Sequence, residues 1–367
     1  MARKLKSDRV LFLTTILLVG LSIVMVYSAS AALALDKYGK GSAFLVKQSL
    51  WAVLGLAILA LVMRIDYRTY REPVFIWTCL GVVSVALVLV LFSPPVNNAR
   101  RWFGLGSIGV QPSELAKLAA IFFIAAILER RINRIGDVKF ALLPIGFVVV
   151  CLVGLILLEP DFGTAMSLIL IASVMVFAAG VDYRYVAATA LCALPAVYLL
   201  VMGTAYRRRR MLAFLHPWDD PLGDGFQVIQ SLIAVGTGGM WGKGLMNGVQ
   251  KLFYLPEPHT DFIYSVISEE LGLIGATAVL LCFAVLTWRG IRVALRAPDT
   301  FGSFLALGLT TMVAVQAFIN ISVVLGLMPT KGLPLPFVSS GGSSLLINLA
   351  GMGILLNVSQ HVTSTEA

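Results

Sequence analysis

One short segment combines a carboxylate with signals that end one helix and begin another. Tyr254–Phe262 contains two prolines within three residues and places Asp261 just before an apolar run from Ile263 to about Thr287. Proline removes a backbone donor and restricts the residue before it, so no helix crosses this segment. A carboxylate at the edge of an apolar run is costly unless it is paired or used. Asp261 therefore either caps the following helix or takes part in chemistry at that edge.

A second polar segment precedes another apolar run. The residues Asn97–Phe103 carry two arginines and a tryptophan, and Gln111–Lys117 follows shortly after. Pro112 suits the first turn of a helix, and Glu114 and Lys117 are three residues apart, so they share a helix face and can pair. The pair either anchors a helix end or serves a function. The cost of an ion pair beside lipid favours a function.

A third segment, Glu159–Thr164, holds two carboxylates separated by a proline. Such acids can bind a divalent cation or a sugar hydroxyl, although Pro-Asp turns with exposed acids are also common. A fourth, Tyr206–Arg210, is a run of arginines, whose guanidinium groups match phosphate oxygens in pairs. A basic run can equally bind lipid headgroups.

The last such segment runs from Pro329 to Ser344 and is rich in proline, glycine and serine. Irregular backbone at membrane depth is tolerated only where it is buried in protein or lines a cavity. Free N–H groups and hydroxyls there could hold a diphosphate or a sugar, and a hinge for helix packing is the alternative. Glu269 and Glu270, in the apolar run after Asp261, are expected to include at least one paired carboxylate.

Apolar segments must position all of these residues. The chain has 367 residues, of which 59% are hydrophobic and 13% charged, whereas soluble chains have about 25% charged residues. The composition predicts an all-α, polytopic membrane protein with about ten transmembrane helices. The net charge of +9 does not indicate nucleic-acid binding, because no basic soluble domain is present. The predicted spans lie at about residues 10–29, 44–63, 73–92, 113–129, 140–158, 163–181, 185–203, 262–287, 302–326 and 340–359.

The connections predict the orientation. Lysine and arginine are concentrated on the side that holds the N-terminus, which places both termini in the cytoplasm. One large external loop, at about residues 203–261, breaks the pattern of short connections, and its aromatic residues predict short amphipathic helices on the outer leaflet. The chain is thus expected to form a single transmembrane domain over residues 1–367. The cysteines lie within apolar segments and lack metal-ligand spacing.

Together these motifs resemble the SEDS family, the family of RodA and FtsW. The resemblance covers nearly the whole chain and favours the division branch, that of FtsW. Ser340 departs from the pattern, since a tyrosine is expected there. The matching segments are Asn98–Trp102, Gln111–Glu114, Pro160–Thr164, the arginine run with His216–Trp218, Leu255–Phe262, Glu269–Gly272, Pro329–Leu333 and Gly341–Ser344.

The resemblance implies a peptidoglycan glycosyltransferase that polymerises lipid II on the external, periplasmic face of the cytoplasmic (inner) membrane. It also implies as partners the growing lipid-linked glycan, a class B penicillin-binding protein and other division-complex membrane proteins. Asp261 resembles the family's catalytic aspartate and is expected to act as general base. A divalent cation, Mg or Mn, is expected at Glu114 and Asp161. The candidate substrate-binding residues are Arg100, Arg101, Trp102, Glu114, Lys117, Asp161, Arg207, Arg208, Arg210, His259, Thr260, Lys331 and Ser343.

Two points stay open at this level. A helix N-terminus would lower the pKa of Asp261, whereas loss of water around it would raise that pKa. A lipid II flippase is the alternative function, because many spans with acidic residues also suit a transporter. The clustering of polar motifs on one face favours the enzyme, since alternating access needs a site near the midplane. A scaffold that only recruits a synthase would leave the external acids unexplained.

Overall fold

The computed structural model describes residues 7–95, 99–105, 108–134, 140, 142–203 and 205–362. Its secondary structure is almost entirely α-helical. The one sheet in the described part is a two-stranded antiparallel hairpin, β1 (Phe103–Leu105) and β2 (Ile108–Val110). The helices are α1 Arg9–Tyr38, α2 Ala43–Val62, α3 Pro73–Val90, α4 Pro112–Arg131, α5 Leu143–Leu158, α6 Phe162–Ala178, α7 Tyr183–Met202, α8 Ala205–Leu215, α9 Phe226–Thr237, α10 Ile263–Arg296, α11 Thr300–Val324 and α12 Gly342–Ser359.

Each predicted span coincides with one of these helices, and α8 and α9 are additional short helices in the predicted external loop. Six described helices, α1, α2, α3, α10, α11 and α12, are long and apolar enough to cross a membrane. The apolar helices α5 and α6 are shorter, at 16 and 17 residues. The chain is therefore an all-α, polytopic membrane protein as predicted, while the number of helices that cross the bilayer stays a prediction.

Helix α11 lies at the centre of the bundle. It contacts α4, α6, α10 and α12, and 78% of its most apolar stretch is buried, against 22% for α2. Small residues allow close packing here: a methyl group added to Gly351 would lie 3.2 Å from Met312 and 3.6 Å from Leu118. These contacts place Leu118 of α4, Met312 of α11 and Gly351 of α12 in one apolar layer.

Both ends of the chain lie on the same side of the bundle. The backbone N–H of Asp8 donates to Ser359 Oγ at 3.1 Å, and the carboxylate of Asp8 accepts a hydrogen bond from Arg289 Nε at 2.8 Å. Asn357, near the C-terminus, accepts from the backbone N–H of Tyr67 at 2.9 Å. The connection after α2, the start of α1, the last part of α10 and the end of α12 therefore meet, so the first and last described segments share a side, as expected.

Helix α10 is broken near its start. Gly272 has φ 67° and ψ −167° inside the helix, a left-handed conformation that glycine adopts without a Cβ penalty. The external loop is hydrogen-bonded to this broken turn. The N–H groups of Lys243 and Gly244 donate to the carbonyl oxygens of Glu269 and Glu270 at 3.0 and 2.9 Å. The loop that leads to Asp261 is thus hydrogen-bonded to the helix that follows it.

The two glutamate side chains at this break complete the attachment, as expected for paired carboxylates. Glu269 accepts from Lys243 Nζ at 2.7 Å and from the backbone N–H of Val249 at 2.9 Å. Glu270 accepts from Lys251 Nζ at 2.6 Å and from Ser28 Oγ of α1 at 2.7 Å. Since Glu270, Lys251 and Ser28 are all buried, this network holds the loop against α1 and α10.

Candidate active site

A cavity of about 600 Å³ lies at the end of the bundle opposite the two termini. Four helices begin at its wall, because the N-cap residues Gln111 of α4, Asp161 of α6, Phe262 of α10 and Gly341 of α12 all line it. Helix N-termini carry partial positive charge and unpaired N–H groups, so this arrangement favours an anionic ligand. The other lining residues include Ala99, Arg101, Trp102, Phe162, Arg210, Gln227, Glu257, Thr260, Asp261, Lys331, Gly332, Ser340 and Ser344.

Asp261 lies in this cavity with its carboxylate unpaired. Within the described part of the chain that carboxylate makes neither a hydrogen bond nor an ion pair. Phe262, not Asp261, is the N-cap of α10, and no side chain caps that helix. A methyl group added to Gly332 would lie 3.0 Å from Asp261 Oδ2, so the glycine leaves room beside the carboxylate. The interpretation of Asp261 as a helix cap is therefore wrong.

The surroundings of Asp261 raise its pKa. Burial raises the pKa of the carboxyl to about 7, Glu257 adds to the rise, and Arg210 and Arg101 oppose it. Loss of water thus outweighs the effects that favour the charged form. A carboxylate with a pKa near the operating pH is suited to accept a proton from a hydroxyl in a transition state.

Three cationic side chains line the same cavity. Arg101 donates from Nε to the carbonyl oxygen of Glu159 at 3.1 Å, and its Nη1 lies 3.9 Å from Asp161 Oδ1. Arg210 Nη1 donates to the carbonyl oxygen of Thr330 at 3.3 Å. These hydrogen bonds to carbonyl oxygens hold both guanidinium groups at the cavity wall.

Lys331 is the third cation. Its ammonium lies 4.6 Å from the centre of the Phe162 ring, a cation–π distance. No carboxylate lies within ion-pair distance of it among the described residues, and burial lowers its pKa. An ammonium that lines the cavity and has no carboxylate within ion-pair distance among the described residues is available to an incoming anion.

Asp161 is held in place by its neighbours. Its Oδ2 accepts from Gln111 Nε2 at 2.8 Å and from Thr164 Oγ1 at 2.7 Å, and its Oδ1 accepts from the Thr164 N–H at 3.2 Å. It thereby caps α6 and ties it to the start of α4. Beside it, burial raises the pKa of Glu159 to about 8, and neither carboxylate oxygen of Glu159 has a partner in the described part of the chain.

Glu114, the other predicted metal ligand, pairs with Lys117 at 2.9 Å, as the spacing predicted. Both side chains are fully buried behind the cavity wall and do not line it. No group of three or more His, Cys, Asp or Glu side chains that could hold a metal ion occurs among the described residues. Since Glu114 pairs with the Lys117 ammonium and Asp161 accepts hydrogen bonds from four donors, the two do not fit a resident cation site.

The cavity brings together part of the predicted set. The predicted residues that line it with Asp261 are Arg101, Trp102, Asp161, Arg210, Thr260 and Lys331.

Others lie elsewhere. Arg100 and Arg208 are exposed, and Arg100 donates to the carbonyl oxygen of Leu91 at 2.9 Å. His259 is buried with its ring 4.7 Å from that of Phe44, and Ser343 Oγ accepts from the Gln111 N–H at 3.3 Å. Asn97, Asn98 and the side chain of Arg207 lie outside the described residues.

The structure also adds residues that the sequence reasoning did not single out. Glu257 and Gln227 line the cavity. Glu257 stands in the same Pro-rich segment as Asp261, a signal that could have marked it, whereas nothing in the sequence of α9 distinguishes Gln227. Ser340, the position expected to be tyrosine, lines the cavity and donates its N–H to the carbonyl oxygen of His259 at 2.9 Å.

Comparison with known proteins agrees with this architecture. A family model for FtsW, RodA and SpoVE, described as cell cycle protein, matches residues 8–364. A probable peptidoglycan glycosyltransferase FtsW of Geobacter sulfurreducens is 46% identical over 364 residues, which cover 97% of this chain and 96% of the relative. Stage V sporulation protein E of Bacillus subtilis is 43% identical over 364 residues, with 98% of each chain covered.

Solved structures share the fold. One such structure shows how a peptidoglycan synthase complex coordinates polymerization and crosslinking. A chain of that complex matches with a TM-score of 0.79 and 34% sequence identity, and the match covers 96% of this chain and 97% of that chain. The crystal structure of the rod shape determining protein RodA of Thermus thermophilus has a TM-score of 0.72 and 30% identity, with 96% of both chains covered. The SEDS resemblance is therefore confirmed, and the chain belongs to the FtsW/RodA/SpoVE family of polytopic membrane proteins.

Proposed function

We propose that this protein is a peptidoglycan glycosyltransferase that links lipid II units into glycan strands during cell division. The observation that carries the proposal is the unpaired Asp261 carboxylate in a cavity lined by Arg101, Arg210, Lys331 and four helix N-termini. Membership of a family whose relatives are named peptidoglycan glycosyltransferases supports it.

In the proposed reaction Asp261 is the general base. The 4-hydroxyl of the acceptor sugar donates its proton to Asp261 while its oxygen attacks the anomeric carbon of the lipid-linked donor. The bond between that carbon and the diphosphate breaks, and the lipid diphosphate leaves. A pKa of about 7 allows Asp261 to be ionised at neutral pH and still to accept the proton effectively.

The cations act on the leaving group. A lipid diphosphate needs its negative charge balanced, not protonated, as it departs. Arg101 and Arg210 each donate to a carbonyl oxygen, and Lys331 has no carboxylate within ion-pair distance among the described residues. All three line the cavity, where they can interact with diphosphate oxygens. Fixed positive groups in a water-poor cavity stabilise developing negative charge strongly. Trp102, Thr260 and Asp161 are the remaining candidate contacts to the sugars.

A divalent cation has no step in this mechanism, because Glu114 and Asp161 are already bonded to protein donors. The expected site at Glu114 and Asp161 therefore has no part in the mechanism, and use of Mg or Mn by the reaction stays a prediction. Titration of polymer yield against EDTA tests it. Loss of polymer on addition of EDTA, restored by Mg or Mn, would support use of a divalent cation. An unchanged polymer yield would show that the reaction needs no such cation.

The proposed location of the cavity in the membrane follows from the orientation predicted by the sequence. The cavity lies opposite the termini, so cytoplasmic termini place it on the external face of the cytoplasmic (inner) membrane. We propose a single transmembrane domain with the loop at about residues 203–261 on that face. The partners proposed are a class B penicillin-binding protein and other division-complex membrane proteins. The structural relative in a peptidoglycan synthase complex supports such a partner.

One experiment separates polymerase, flippase and scaffold. The purified protein is incubated with lipid II, with and without the partner synthase, and the products are resolved as glycan polymer. The same protein in vesicles is assayed for transfer of fluorescent lipid II between leaflets. Polymer made by this chain supports the proposal. Leaflet transfer without polymer would favour the flippase, and neither activity would favour the scaffold.

A further inference from the structure

Behind the cavity wall, α4, α11 and α12 each contribute a buried polar side chain with at least one atom that lacks a hydrogen-bond partner among the described residues. Glu114 of α4, Gln316 of α11 and Asn348 of α12 are exposed by 1%, 0% and 1%. One carboxylate oxygen of Glu114, both amide atoms of Gln316 and the amide oxygen of Asn348 have no hydrogen-bond partner in the described part of the chain. Buried polar atoms are nearly always paired with protein or with ordered water.

The helix repeat brings these three side chains to one place. Leu118, Met312 and Gly351 form a single apolar layer. Glu114 precedes Leu118 by four residues, Gln316 follows Met312 by four, and Asn348 precedes Gly351 by three. Residues three or four apart share a helix face one turn away. Helices α4 and α12 begin at the cavity and α11 runs toward it, so each of the three residues lies one turn closer to the cavity than the apolar layer. The three side chains therefore converge between that layer and the cavity.

We propose that α4, α11 and α12 enclose a cluster of ordered water between the Glu114–Lys117 pair and the floor of the cavity. Asn320, one turn outward from Gln316, adds a further unpartnered amide oxygen. A buried water makes about three hydrogen bonds, so two or so waters would satisfy these atoms. The inference is independent of the proposed enzymatic reaction.

Water suits this site better than a cation. The ammonium of Lys117 is fully buried and lies 2.9 Å from the other Glu114 oxygen, so it would repel a second positive ion. It carries three donors, of which one hydrogen bond, to Glu114 Oε1, is formed among the described residues. Water can accept a hydrogen bond from Lys117 and donate hydrogen bonds to the amide and carboxylate oxygens, whereas a cation can only coordinate those oxygens.

The water site would support the floor of the cavity. Asn348 Nδ2 donates to the carbonyl oxygen of Ser344 at 2.8 Å, and Ser344 lines the cavity. Asn320 Nδ2 donates to the carbonyl oxygen of Asp261 at 2.8 Å. The Nδ2 group of each asparagine therefore donates to backbone at the cavity, and its Oδ1 is left to accept a hydrogen bond from the proposed water.

The sign of a stability change tests the proposal. Gln316→Leu removes two amide atoms that would bind the water and that have no partner among the described residues, so it is expected to lower Tm by roughly 2–5 °C. Met312→Leu, one turn away in the apolar layer, is the matched control and should change Tm by less than about 1 °C. If the atoms are dry and unpaired, removing them is favourable, and a rise in Tm for Gln316→Leu would overturn the proposal.

A second measurement does not depend on any variant folding. A density map of the wild-type protein at roughly 2 Å resolution should show peaks within hydrogen-bond distance of at least two of Glu114, Gln316 and Asn348. A dry site, or a rotated Gln316 amide bonded directly to Asn348, would overturn the proposal. The Tm should be equal in sodium and choline buffers, and stabilisation by sodium alone would indicate a cation instead.

Discussion

Asn320 Nδ2 lies 2.8 Å from the backbone carbonyl oxygen of Asp261. The same nitrogen donates to the carbonyl oxygen of Leu333 at 2.7 Å. One side chain from the central helix α11 therefore joins the segment that carries Asp261 to the segment that carries Lys331. This amide, together with the bonds from Ser339 Oγ to the Thr260 carbonyl and from the Ser340 N–H to the His259 carbonyl, holds the proposed general base in register with one of the cations proposed to stabilise the leaving group.

Loss of this amide donor should slow catalysis. Asn320→Leu and Asn320→Asp both keep the approximate shape and remove the N–H groups, so we expect kcat to fall about tenfold or more in each, because small displacements of reacting groups are costly. Asn247→Asp, in the exposed part of the loop, is the control. Wild-type kcat in Asn320→Asp would show that the two bonds do not position Asp261.

The pH dependence of the rate should report the raised pKa of Asp261. With a pKa of about 7, the base is protonated and inactive at low pH. As pH falls below about 7, kcat/KM should decline toward a tenfold loss per pH unit. Initial polymerisation rates between about pH 5 and 8 measure this. A rate that stays constant down to about pH 5 would mean that Asp261 is not the titrating base.

Arg101 should not tolerate replacement by lysine. Its guanidinium spans the carbonyl oxygens of Glu159 and Pro160 and approaches Asp161, and one ammonium cannot reproduce that fork. We expect Arg101→Lys to lower kcat/KM about tenfold or more. Arg100→Lys should have a smaller effect, because Arg100 is exposed and does not line the cavity. Equal losses of kcat/KM in the two variants would contradict the assignment of Arg101, and not Arg100, to the cavity.

The Lys251–Glu270 pair should be essential to stability. The two side chains are 5% and 0% exposed and 2.6 Å apart, so Lys251→Met leaves a buried, uncompensated carboxylate, at a cost of about 3–5 kcal/mol. A large fall in Tm is expected, with part of it recovered in Lys251→Met/Glu270→Gln. Lys243→Met should cost less, because the Lys243 side chain is 31% exposed. An unchanged Tm in Lys251→Met would refute this role.

The helices were predictable because the length of an apolar run fixes where a span can lie. Each predicted span matches a helix, and the i, i+3 spacing of Glu114 and Lys117 correctly predicted their pairing. Boundaries were less predictable: α1 continues to Tyr38 and α10 to Arg296, since polar residues extend a helix once its apolar part is anchored.

The composition of the cavity was only partly predictable. Motifs identified Asp261 and Arg101, but the convergence of four helix N-termini depends on how distant segments pack, which spacing along the chain does not encode. Glu114 belongs to a matching motif, and yet both it and Lys117 are buried and do not line the cavity. Gln227 and Asn320 carry no local signal and are recognised only through their contacts.

The most direct test of the proposed mechanism is polymerisation of lipid II by Asp261→Asn. The amide keeps the size of the side chain and cannot accept the proton, so polymer formation should fall by about 10² to 10⁴, with lipid II binding and Tm retained. Asp219→Asn, exposed in the external loop, should polymerise like the wild type. Polymer at the wild-type rate from Asp261→Asn would contradict the assignment of Asp261 as general base.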